Sequence, residues 1–67
     1  MSHQILRMFE VSDRTGLAKS SIYEQIRKGL FPKPIKLSAR SVGWLEEDVN
    51  RWLDDKVFQS LKGEIDE

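Results

Sequence analysis

Cysteine is missing from this 67-residue chain, and histidine occurs once, at His3. No disulfide can staple the fold, no thiolate site can hold zinc, and a lone imidazole cannot replace one. Long apolar runs are also missing, since none exceeds two or three residues whereas a membrane span needs about 20. The opening MSHQILR has no basic segment followed by an apolar stretch of signal-peptide length, so the expected location is cytoplasmic and reducing. A chain this short forms one small domain whose core must hold unaided. No phosphate-cradling glycine motif occurs, because Gly16 and Gly29 each fall at the expected end of a helix. Glu46, Glu47 and Asp48 are successive helical positions that point in three directions, which suits a helix dipole and not a metal or an acid/base pair. The expectation is a protein that is no enzyme and has no catalytic residues, no metal and no cofactor.

What is present is charge, and it is segregated. The formal net charge is zero, yet residues 14–44 carry Arg14, Lys19, Arg27, Lys28, Lys33, Lys36 and Arg40 against Glu24 alone. Residues 45–67 carry eight carboxylates against Arg51, Lys56 and Lys62. A basic half held against an acidic half suits a domain that offers one face to a polyanion.

Internal repeats and low-complexity tracts are absent, and the punctuation is Gly16, Gly29, Pro32, Pro34 and Gly43. Met8 and Val11, three apart and followed by Gly16, predict a short first helix. Ala18, Ile22 and Ile26, four apart, form the inward stripe of a second helix that Gly29 stops. Its start is open to two readings. Ser21 and Glu24 match a capping box that would begin it at Ile22; a start near Lys19 leaves Ala18 as a cap without a side-chain acceptor, but turns Ser20 and Ser21 outward from the first turn. The earlier start is favoured. Leu30 to Pro34 cannot continue a helix. Ile35 and Leu37, then Val42 and Trp44, alternate around the loop 38–41 and predict a hairpin whose one apolar face lies against the helices. The third helix opens on Glu46, Glu47 and Asp48 and packs through Val49, Trp52 and Leu53. Ile22, Ile26, Trp44, Val49, Trp52 and Leu53 are the expected core. Residues 1–59 read as the domain and residues 60–67 as a loose acidic tail.

The order helix, tight turn, helix, basic hairpin, helix resembles a winged helix-turn-helix. The expected fold is mainly α, with three helices and a small β-hairpin wing between the second and third. The resemblance sharpens at Arg14-Thr15-Gly16-Leu17, at Ser20-Ser21-Ile22-Tyr23, at Gly29 with Phe31-Pro32-Lys33-Pro34, and from Arg40 to Trp44 leading to Val49 and Trp52. Together, across residues 5–53, these pieces resemble the AlpA-type prophage regulators, which are related to MerR-type DNA-binding domains and to phage excisionases. Ala18 and Phe9 depart from the family pattern, which often has Ser or Thr at the first position and Pro at the second.

That resemblance implies a sequence-specific protein acting on double-stranded DNA as a transcriptional regulator or an excision directionality factor. Lys19, Ser20, Ser21, Tyr23, Glu24, Arg27 and Lys28 of the second helix would face base edges and phosphates in the major groove. Arg27 is the expected guanine reader, with a phosphate as its alternative partner. Tyr23 either reaches a phosphate with its hydroxyl or only packs. Glu24 either reads a cytosine amino group or positions Arg27 or Lys28. Lys33, Lys36, Ser38, Arg40 and Ser41 would grip the backbone from the wing, with the minor groove open to Arg40. The alternative is an adaptor that binds an integrase or another regulatory protein, RNA polymerase being a further expected partner, through its acidic third helix and tail. No long heptad helix is present, so the expected state is a monomer in solution that assembles cooperatively on DNA.

Overall fold

The computed structural model describes residues 4–62, in the order β1 (Ile5–Leu6), α1 (Met8–Thr15), α2 (Lys19–Arg27), β2 (Ile35–Ser38), β3 (Ser41–Leu45) and α3 (Glu46–Leu61). His3 and residues 63–67 of the tail expected to be loose over 60–67 lie outside the described residues. Three helices pack with one antiparallel sheet of strand order β1-β3-β2.

Glu10 opens α1 by accepting the Arg7 backbone N–H at 2.9 Å. Gly16 closes it at φ 76°, a conformation that costs glycine little, and returns its N–H to the Ser12 carbonyl at 2.9 Å. Two hydroxyls then fix the turn into α2. Ser12 Oγ donates to the Leu17 carbonyl at 2.7 Å, and Thr15 Oγ1 donates to the Val11 carbonyl at 2.8 Å while accepting the Leu17 N–H at 3.2 Å. The helix α2 takes the earlier of the two possible starts, with Ala18 as a cap that makes no side-chain hydrogen bond. It ends in a Schellman pair, in which the Gly29 N–H reaches the Ile26 carbonyl at 3.0 Å and the Leu30 N–H reaches the Gln25 carbonyl at 2.8 Å.

The linker from Leu30 to Pro34 is held by both indoles. Trp44 Nε1 donates to the Pro32 carbonyl at 2.9 Å and Trp52 Nε1 to the Leu30 carbonyl at 2.8 Å. Phe31, between those carbonyls, is buried and meets the Trp52 ring edge-on at 4.9 Å. Leu6, Val11, Ile22, Phe31, Trp44 and Val49 form the buried core. Ile22, Trp44 and Val49 thus sit where the apolar stripes put them; Ile26, Trp52 and Leu53 pack against that core but are only partly buried.

Three details differ from the sequence reading. First, Ile5–Leu6 forms a strand, pairing with Leu45 and Trp44 of β3. Second, the hairpin turn is the two residues Ala39 and Arg40, and one extra residue in β2 shifts its register. Ile35 therefore stands opposite Gly43, and Lys36 opposite Val42. Since directly paired residues share a face, Ile35 and Leu37 lie on the side of Gly43 and Leu45, away from Val42 and Trp44, and both are exposed. The expected single apolar face does not form. Third, α3 includes Ser60 and Leu61, beyond the boundary expected at Gln59, because no breaker intervenes before Gly63.

A candidate nucleic-acid interface on the second helix and hairpin

Ile22 anchors α2 in the core. At about 100° per residue, Ser20, Tyr23 and Arg27 then project from the opposite side, and all three are exposed. Lys19 and Lys28 flank them, also exposed, while Ser21 and Glu24 are half-buried. Tyr23 keeps 45% of its surface accessible. Glu24 is committed within the helix: its carboxylate takes the Arg27 guanidinium through one oxygen and lies 3.5 Å from Lys28 Nζ through the other. The first turn of α2 has no acidic residue and no side-chain cap, so its N–H groups and Lys19 leave the entry to this helix electropositive.

From the hairpin, Lys36, Ser38 and Arg40 are exposed and Ser41 is half-buried. Arg40 occupies the turn and its N–H makes a long contact, 3.4 Å, to Ser38 Oγ. The fold brings Arg40 to one groove with Lys19, although they come from different elements, and Arg7, Phe9, Ser12 and Val42 complete its walls with Met8. Among the described residues, Arg7, Lys19 and Arg40 are its charged groups, and no carboxylate lines it.

Ser20, Ser21, Glu24 and Lys28 line a neighbouring depression with Lys56 of α3. Lys33 goes elsewhere. It shares a third groove with Asp48, Arg51 and Asp55, so it sits among carboxylates and apart from Arg40.

Arg7 and Phe9 were not among the expected site residues. Phe9 is 72% exposed, and the sequence did contain a clue: two residues before Val11 it lies about 200° around α1 from that buried side chain. The position of Arg7 had no such clue, because its groove is closed by Arg40, far along the chain. Arg14, at the other end of α1, is used structurally, pairing with Glu46 at 3.1 Å and tying α1 to the start of α3.

Among the described residues no group of three or more His, Cys, Asp or Glu is arranged to hold a metal ion. Among the same residues no helix is long and apolar enough to cross a membrane.

A family model described as "Prophage CP4-57 regulatory protein (AlpA)" matches residues 4–57. The chain is 38% identical over 60 residues to "Uncharacterized protein ORF88" of Enterobacteria phage P4, covering 90% of this chain and 68% of that one. It is 34% identical over 59 residues to "DNA-binding transcriptional activator AlpA" of Escherichia coli (strain K12), covering 79% of this chain and 84% of that one. No solved structure matches the chain.

Proposed function

The chain belongs to the AlpA family of prophage regulatory proteins, and from that premise we propose that it binds double-stranded DNA as a transcriptional regulator. The observation that carries the reading is the groove lined together by Lys19 at the start of α2, Arg40 at the hairpin turn and Arg7, with no acid among the described residues that line it. A phosphate backbone crossing that groove would be gripped from three elements at once. This sets the register in which the adjoining face of α2 enters the major groove.

In that pose Ser20, Tyr23 and Arg27 face base edges or the flanking phosphates. Arg27 reads guanine O6 and N7 with both guanidinium nitrogens, once DNA competes successfully for it against Glu24. Glu24 positions Arg27 and Lys28 in the free protein and lowers the charge of α2, which restrains binding to arbitrary sequence. The hairpin acts as the wing, with Arg40 and Lys36 on phosphates. Lys33, beside Asp48 and Asp55, contributes little to the interface.

The test is selection from a randomised duplex pool by the native protein. Enrichment of a defined motif, lost when Arg27→Ala is used for the selection, supports the reading; a pool that remains random after repeated rounds contradicts it.

A further inference from the structure

Helix α3 carries two apolar faces. Val49, Trp52 and Leu53 turn to the core, while Val57, Phe58 and Leu61 form a second patch that is exposed among the described residues, at 57%, 61% and 79%. On a helical projection the centre of this patch lies more than 100° around the axis from the core-facing side, so it is not the frayed end of the core stripe. Its surroundings are charged in a specific order. Asp54 and Asp55 precede it and Lys62 follows it, with Lys62 Nζ 5.4 Å from the centre of the Phe58 ring.

We propose that this patch is the contact surface for a second copy of the same chain, with the two α3 helices antiparallel about a two-fold axis near residues 58 and 59. The charge order selects this occupant and orientation. Asp55 and Lys62 lie on the same flank of the patch, and antiparallel pairing sets each Asp55 against the partner's Lys62 in two reciprocal ion pairs. A parallel pair would instead put these residues of the two copies on opposite sides of the seam, where they form no such pairs. Three apolar side chains per copy cover far less than the roughly 1,200–2,000 Å² of a stable interface, so the contact is weak in solution and gains effect when two copies are held close on one duplex. Only that last step rests on the DNA reading above; the self-contact does not.

The test combines sedimentation equilibrium up to millimolar protein with single-cysteine crosslinking, which is clean because the native chain has no cysteine. All the altered positions are exposed, and helicity measured in parallel checks that each variant folds. The native protein should show reversible dimerisation, which Leu61→Asp weakens by about tenfold or more. Asp55→Lys alone should weaken it, and adding Lys62→Asp should restore it. Phe58→Cys should form a disulfide dimer, whereas Asn50→Cys should not, because that position would lie about 25 Å from its counterpart along the paired helices. On a duplex with two adjacent sites, Leu61→Asp should abolish cooperativity and leave single-site affinity unchanged. A native protein that stays monomeric throughout, a double charge swap that fails to restore pairing, or efficient Asn50→Cys crosslinking overturns the proposal. Dimerisation with these signatures by a protein that selects no DNA motif upholds it and removes the proposed function instead.

Discussion

Trp52 donates its indole N–H to the Leu30 carbonyl at 2.8 Å, across 22 residues of chain. With Trp44 bound likewise to Pro32, this fastens the segment that carries the chain from α2 into the hairpin. The separation between the proposed reading helix and the hairpin turn therefore depends on two indoles, of which Trp44 also shares the buried core with Ile22 of α2.

That dependence can be measured at Trp44, which is fully buried. Trp44→Phe keeps an aromatic ring but leaves the Pro32 carbonyl without its donor and a gap where the larger ring stood. A loss of about 2–4 kcal/mol is expected in denaturant titration. Trp52→Phe, at a half-buried position, should cost less, about 1–2 kcal/mol. Equal and negligible losses would show that the linker is held by other means.

Gly43 tests the sheet. A Cβ there would stand 2.5 Å from Ile5 Cγ2 and 3.1 Å from the Leu6 carbonyl oxygen, so β1 would have to move. Gly43→Ala should destabilise the domain by about 1–3 kcal/mol, and Ile5→Ala in the same chain should recover part of the loss. A melt of Gly43→Ala superimposable on the native one would contradict the close approach of β1.

Glu24 separates two roles. If it restrains Arg27 and Lys28, Glu24→Gln should raise affinity for random duplex by up to about 1 kcal/mol, or roughly fivefold at low salt. If it reads a cytosine, the same variant should leave random binding nearly unaltered and relax preference at one base pair of the selected motif.

Much of this architecture was legible in the chain because it is local. Gly16 and Gly29 fix left-handed stops, Pro32 and Pro34 exclude helix, and the 22/26 and 49/52/53 spacings mark the packed faces. What escaped is non-local. Two residues, Ile5–Leu6, have no period to read, and their strand exists only because β3 passes beside them. Alternation in 35–37 implied a face, but one extra residue in β2 set that face against Gly43 and reversed the inference. Phe31 looked like part of a loop until Trp52 arrived to cover it. The candidate site divides in the same way. The outward residues of α2 follow from helical spacing, whereas the approach of Arg7 to Arg40 is a product of the tertiary fold.

The central claim, that α2 reads bases while the hairpin turn grips the backbone, is tested most directly by binding titrations of native protein, Arg27→Ala and Arg40→Ala on the selected and a random duplex across a series of salt concentrations. Arg40→Ala should weaken both duplexes alike and make the slope of log K against log salt shallower by about one unit. Arg27→Ala should cost about 1–3 kcal/mol on the selected duplex, much less on the random one. Selected-duplex affinity and salt slope unchanged in both variants would contradict the account.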